Sequence, residues 1–276
     1  IARMSLILAG LPMSVPGTTM NRLCGSSLDA LIDAFSRIQA QIADCLVVGG
    51  AESMTRAPYV LSKAEHEFDR TQKIYDSTFG WRFVNPLMQK MFPLLGMGET
   101  AEEVADLYKI SREEQDLFAL SSHKKALAAI ERGDFKEQLL PFSIVSKKET
   151  NVIDSDECIR ETTTIEALAK LPPVFRKNGT VTAGNSSPMN DGASLVMLVS
   201  ESFLKQHNLT PIMKITGAAV RGVHPSTMGL GPIEAVKILC NKFDKKIADF
   251  DAIELNEAFA AQALGCIKGL DLDPTK

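Results

Sequence analysis

One cysteine in this sequence sits where covalent chemistry could be done. In "TTMNRLCGSSLDAL", residues 18–31, Cys24 falls where a polar, glycine-containing turn gives way to a helical pattern. A free thiol titrates at about 8.5, and it is the thiolate that attacks carbonyl carbon. A helix start offers unpaired N–H groups and the positive end of the helix dipole, and both favour the thiolate. Gly25 leaves room beside the sulfur for an acyl group. The competing reading of the same residues is a small buried side chain, the usual fate of cysteine. Cys45, Cys158, Cys240 and Cys266 have no comparable setting and read as structural. Five cysteines, widely spaced and without a C-x-x-C pair, fit a reducing compartment and no disulfide framework. The four histidines are scattered, so no metal site is expected.

The elements that must hold such a residue can be read from periodicity. Leu28, Leu31, Phe35, Ile38 and Ile42 recur at spacings of three and four, which is one face of a helix. "CLVVGGAE" after it is a short apolar run ending in glycines, hence a buried strand. Turn, helix and strand in this order suggest an α/β layer with sites at strand ends. From Ser53 to about Gly179 the texture changes: most aromatic residues and the single Trp lie here, with little clean periodicity. Within it "ETAEEVADLYKI" reads as a helix. Ser111 and Glu114 make a capping box for 112–132, which Gly133 closes, with Leu117, Leu120, Leu127 and Ile130 as the apolar side. "LLPFSIVSKKETNVI" could supply short strands. The frame resumes in "TVTAGNSSPMNDGASLVMLVS", a glycine-containing turn leading to a strand. "PIMKITGAAVRG" is expected to be a strand, "GPIEAVKILCNKF" a helix, and "FDAIELNEAFAAQALGCIKGL" a strand running into a helix. Helix, apolar strand and acidic turn thus occur at 28–52 and again at 233–257, a weak internal repeat.

Composition narrows the function classes. The chain of 276 residues is 45% hydrophobic and 23% charged, as in globular proteins with a large core. A net charge of −4 argues against a nucleic-acid partner, which calls for a basic footprint. No apolar run reaches the ~18 residues of a membrane span. The opening "IARMSLILAGLP" reads as an amphipathic helix rather than a signal peptide.

Taken together, four segments resemble the thiolase family of acyl-CoA:acetyl-CoA C-acyltransferases. "NRLCGSS" resembles its nucleophile segment and "GGAESMTRAP" the strand and loop that follow. "GTVTAGNSSPMNDGA" and "ELNEAFAAQ" resemble two further signatures, in family order. "GGAESMTRAPYV" and "GWRFVNPLM" are most similar to 3-oxoadipyl-CoA thiolases. The resemblance implies an α/β thiolase-like fold of two similar βαβαβαββ halves with an inserted loop domain. Residues 1–53 and 179–200 would belong to the N-terminal half, 54–178 to the insertion on the CoA-binding side, and 201–276 to the C-terminal half. It also implies a homodimer or homotetramer, acyl-CoA and CoA as substrates, no tightly bound cofactor and no metal. The compartment would be the cytoplasm in a bacterium, and the mitochondrion or peroxisome in a eukaryote.

By the same resemblance Cys24 attacks the keto carbon of a 3-oxoacyl-CoA, releases acetyl-CoA and carries the acyl group until CoA takes it. Both steps need an oxyanion hole. Asn256 in "NEAF" would orient a water there, its amide donating and accepting at once; its other reading is a strand-to-helix cap. Glu257 would support it. Met97, Phe175, Ser187 and Phe259 match the pantetheine and acyl channel, although the apolar three would by default be core. Arg160 matches a CoA-contacting arginine, or is a solvated surface charge. Gly96 stands where many thiolases have a histidine. His224, in "GVHP", lies upstream of "NEAF", whereas the family's catalytic Gly-His-Pro lies downstream, so it reads as a loop residue. That Gly-His-Pro and the later Cys-x-Gly-x-Gly segment are not among these residues. The expectation is therefore a fragment incomplete at both ends, inactive alone, with uncovered strand edges and a tendency to aggregate. Two other readings remain open here: a related 3-oxoacyl synthase, and a thiolase-like remnant that binds acyl-CoA or a partner without catalysis.

Overall fold

The computed structural model describes every residue, 1–276. Helices α1 (Ala2–Leu8) and α2 (Ser26–Gln39) precede strands β1 (Cys45–Glu52), β2 (Tyr59–Leu61) and β3 (Ile74–Asp76). Helices α3 (Pro86–Met91), α4 (Met97–Tyr108) and α5 (Arg112–Arg132) follow, then strands β4 (Phe142–Val145) and β5 (Thr150–Ile153). After α6 (Ile165–Ala169) come β6 (Gly192–Val199), α7 (Glu201–Gln206), α8 (Gly231–Phe243) and α9 (Ala260–Leu270). No helix is long and apolar enough to cross a membrane. The chain forms two compact units, residues 1–58 with 190–218, and residues 59–189 with 219–276.

The first unit is built on a two-stranded antiparallel ladder in which β1 pairs with β6, Cys45 opposite Val199 and Glu52 opposite Gly192. Helix α2 ends as its apolar pattern predicts, except that Ile42 lies beyond it. Gln41 takes a left-handed φ of 58°, and the Ile42 N–H returns to the Arg37 carbonyl. Ser200 caps α7 by accepting from the Phe203 N–H at 3.2 Å, and its hydroxyl donates to Asp44 at 2.7 Å. The start of one helix is thereby tied to the residue that precedes β1. The first residues form helix α1 as expected, but it buries no side chain and leaves Met4, Ile7 and Leu8 exposed, so no apolar face is covered.

The second unit has its core where α4, α9 and the 180s meet. Ala101, Val104, Ala105, Ile110, Val181 and Ala261 are buried together, with Tyr108, Phe175, Leu230, Phe259 and Leu264 packed against them. The expected capping box is present: Ser111 Oγ accepts from the Glu114 N–H at 3.1 Å, and the Glu114 carboxylate accepts from the Ser111 N–H at 2.7 Å. Gly133 closes α5 at φ 79°, a conformation that costs glycine little. The buried side of α5, however, is Gln115 and Asp116, while Leu117 and Ile130 are exposed. Burial is decided by what the helix meets, and here it meets a polar turn.

Two expected strands do not form. Residues 211–222 and 252–255 enter no ladder; the sheets are the pairs β1–β6, β2–β3 and β4–β5. An apolar run becomes a strand only when a neighbour accepts and donates its backbone bonds. The helix–strand–turn repeat is consequently complete in its first copy alone, since α8 forms and the strand after it does not.

Candidate active site

Cys24 is held by the first unit. It is exposed, two residues before the first residue of α2, with Gly25 as the N-cap. The turn before it is fixed by local bonds. Asn21 Oδ1 accepts from the Leu23 N–H at 2.8 Å, Ser26 Oγ accepts from the Arg22 N–H at 2.8 Å, and Ser26 donates to the Leu23 carbonyl at 2.6 Å. Arg22 Nε meets Asp29 Oδ1 at 3.0 Å and pins the turn to the helix it precedes. Leu23 takes φ 51° to make the bend. Gly50 is required on the other side: a Cβ there would run into the Ser27 hydroxyl, so the glycine lets the first turn of α2 lie on β1. The same unit joins two of the sequence motifs through Asp191. Its carboxylate accepts from the Thr55 N–H at 2.9 Å, the Thr55 hydroxyl at 2.6 Å and the Ser53 hydroxyl at 3.3 Å. Those bonds, the Thr55 hydroxyl first, hold the Asp191 carboxyl below the usual carboxylate range.

The other candidate residues all belong to the second unit. Met97 opens α4 and is 44% exposed. One residue on, Gly98 is buried, and a Cβ there would overlap the Phe175 ring, so that ring lies flat against the backbone of α4. Phe175 meets Phe259 edge to face, with centroids 5.9 Å apart. The "GNSS" and "EAF" segments run beside each other. Ser186 bridges Phe259 in antiparallel fashion, and the Ser187 N–H donates to the Ala258 carbonyl at 3.0 Å. Ser187 is exposed, its hydroxyl donating to the Pro188 carbonyl at 3.2 Å. Asn256 is exposed, and its amide takes no hydrogen bond within the chain. Glu257 accepts from Ser122 Oγ at 2.6 Å. Arg160 is exposed, and its backbone N–H donates to His123 Nδ1 at 3.3 Å. Met97, Phe175, Phe259 and Ser187 are thus linked through contacts of their own segments. Arg160 and Glu257 join neighbouring residues of α5.

What holds this group is a buried polar network whose members the sequence reading left out. Glu102, with none of its surface exposed, accepts from the Thr180 N–H and the Val181 N–H, each at 2.8 Å. It also accepts from the Thr180 hydroxyl at 3.1 Å and from Arg176 at 3.3 Å. Gln115 donates to the Thr180 hydroxyl at 2.9 Å, and Asn185 Nδ2 donates to Asp116 at 3.0 Å. Arg112 meets Asp116 at 2.7 Å and donates to the Leu168 and Leu171 carbonyls. The available signal was the "TVTAGN" turn itself. A non-regular turn that becomes buried must find acceptors for its N–H groups, and carboxylates on the facing helices are the strongest. Cys266 is buried on α9, its thiol pushed up by burial and donating to the Gly229 carbonyl at 3.3 Å, as suits a structural role. No group of His, Cys, Asp or Glu could hold a metal ion.

The thiolase N-terminal domain model matches residues 1–202, and the thiolase C-terminal domain model matches residues 209–276. The chain belongs to the thiolase family. It is 50% identical over 272 residues to a beta-ketoadipyl-CoA thiolase of Pseudomonas knackmussii, an alignment covering 99% of this chain and 68% of that protein. It is 49% identical over 273 residues to the 3-oxoadipyl-CoA/3-oxo-5,6-dehydrosuberyl-CoA thiolase of Escherichia coli K12, again covering 99% and 68%. Among solved structures, acetyl-CoA acetyltransferase of Bacillus anthracis superposes with a TM-score of 0.90 at 40% identity, covering 99% of this chain and 68% of that one. Human mitochondrial 3-ketoacyl-CoA thiolase in complex with CoA superposes at 0.88 and 39% identity, covering 100% and 68%. The protein therefore has the thiolase-like α/β fold and is a thiolase, an acetyl-CoA C-acyltransferase.

Proposed function

We propose that this thiolase cleaves 3-oxoadipyl-CoA with CoA, giving succinyl-CoA and acetyl-CoA through an acyl-enzyme on Cys24. The supporting observation is the roughly half identity, over nearly the whole chain, to relatives named for that substrate. Cys24 Sγ adds to the 3-keto carbon, and the bond between carbons 2 and 3 breaks. Its electron pair leaves as the enolate of acetyl-CoA, which takes up a proton. The thiolate of free CoA then attacks the Cys24 thioester and regenerates Cys24.

The exposed sulfur, set by the Asn21–Ser26 turn before the N-terminus of α2, suits this attack. The unengaged Asn256 amide would orient a water on the oxyanion. Met97, Phe175 and Phe259 would line the slot for the pantetheine arm, Ser187 would meet its amide, and Arg160 would meet a CoA phosphate. CoA and acyl-CoA act as substrates, with no further cofactor. The proposal includes the division into residues 1–53 with 179–200, 54–178 and 201–276, and assembly as a homodimer or homotetramer.

The test uses protein expressed from the complete coding sequence. Radiolabelled acyl-CoA should label Cys24, as mapped by peptide mass spectrometry, and a thiolysis panel should rank 3-oxoadipyl-CoA first. Label on another cysteine overturns the nucleophile, and a strong preference for straight-chain 3-oxoacyl-CoAs overturns the substrate.

A further inference from the structure

The segment that carries Asn256 has little structure of its own. Residues 252–256 belong to no helix and no ladder. Before Asn256 the Ile253 N–H donates to the Lys276 carbonyl at 3.0 Å, and after it the chain is tied at three places: the Ser187 N–H to the Ala258 carbonyl, the Ser186–Phe259 bridge, and the Ser122 hydroxyl to Glu257. The first two hold backbone on the far side of Ala258. The third alone grips the residue next to Asn256.

Ser122 lies in the interior of α5, where a serine hydroxyl commonly bonds back to a carbonyl of its own helix. Here it donates instead across 135 residues to Glu257 Oε2, at 2.6 Å, within the short range of hydroxyl-to-carboxylate bonds. Helix α5 is well placed to serve as an anchor. It is capped at both ends, its Asp116 is buried in the network around Thr180, and its Glu114 pairs with Lys268 of α9 at 2.8 Å. A bond from this helix to Glu257 therefore fixes the turn against the same body that holds Phe259.

We propose that Ser122 is a positioning residue for the thiolase reaction, holding the Glu257 carboxylate so that the Asn256 amide points at the oxyanion. The proposal rests on the oxyanion role assigned to Asn256. Without the bond Glu257 swings free into solvent, and the backbone at 255–258 gains freedom that displaces the amide. Misplacement by about 1 Å can cost on the order of 100-fold in rate, and a loosened tether should cost less, about tenfold. The loss falls on kcat because the pantetheine slot of Met97, Phe175 and Phe259 stays intact.

The experiment measures thiolysis kinetics in protein from the complete coding sequence, for S122A, S122T, N256A and the exposed neighbour S121A as control. S122A should lower kcat about tenfold with KM for CoA within about twofold, and S122T, which keeps the hydroxyl, should recover most of the rate. S121A should match wild type. An S122A kcat within about twofold of wild type overturns the proposal, as does a loss confined to KM or an S122T no better than S122A. N256A separates the two layers. Unchanged kcat in N256A removes the Asn256 assignment itself, whereas an impaired N256A beside a normal S122A removes the tether alone. If S122A does not fold, E257Q and E257A replace it. Gln keeps an acceptor oxygen for Ser122, so E257Q should outperform E257A in kcat, and equal values overturn the proposal.

Discussion

Glu102 offers a sharp test of what holds the second unit together. Its carboxylate is completely buried and accepts from two backbone N–H groups, Thr180 and Val181, and from the Thr180 hydroxyl. In Glu102→Ala those donors lose their acceptor. Val181 is itself fully buried and has no water to turn to. Each stranded backbone donor costs about 1–3 kcal/mol. The hydroxyl can rotate and remains bonded to Gln115, so it adds little. Arg176 is half exposed and keeps Asp106 at 2.8 Å, so its loss is small too. The sum is about 4 kcal/mol, within the range for breaking a buried charged contact, and a large share of the ~5–15 kcal/mol that stabilises a typical domain. Glu102→Gln preserves shape and one acceptor oxygen, and should cost about half as much. Urea denaturation gives the overall change. Native-state hydrogen exchange at the Thr180 and Val181 amides reports the site directly, and both should lose protection in the alanine variant. A Glu102→Ala protein within about 1 kcal/mol of wild type, with those amides still protected, would refute the reasoning.

Two more outcomes follow from the geometry. Gly98→Ala puts a methyl into the Phe175 ring, so the ring must leave α4 and its edge contact with Phe259; KM for CoA should rise severalfold, measured by thiolysis kinetics. Asp191 has its pKa lowered by Thr55 and Ser53, so the stability it lends to the 53–55 loop is present above the ordinary carboxyl range of about 4 and is lost as pH falls through the lowered value. The Thr55 amide resonance should titrate in acid in wild type and stay flat in Asp191→Asn.

Local chemistry was readable in the sequence, and long-range pairing was not. The cap of α5 is written in Ser111, Glu114 and Gly133, whose partners lie within one turn of the helix. The apolar run of β1 also declared itself, helped by its glycines. Nothing local could say that Gln115 and Asp116 would be the buried face of α5, because the reason lies some 65 residues on, at Thr180 and Asn185. Residues 211–222 carry a strand-like pattern but no ladder partner, and a pattern by itself cannot supply one. For the site, the resemblance to the thiolase family pointed to Phe175, Ser187 and Phe259, which the fold links. Glu102, which accepts from the Thr180 and Val181 N–H groups, and Ser122, which bonds Glu257, looked like ordinary polar positions on helices.

The bonds from Thr55 and Ser53 to Asp191 have a use beyond their own loop. They bring together the points where the chain leaves the first unit, after residue 58, and where it returns, at residue 190. The chain thus leaves for 59–189 and comes back beside the same clasp. That gives a seam, at the clasp, for exchanging this segment between relatives. Because α9 packs on α4 and α5, the graft must carry 219–276 along with it, two pieces cut together or not at all.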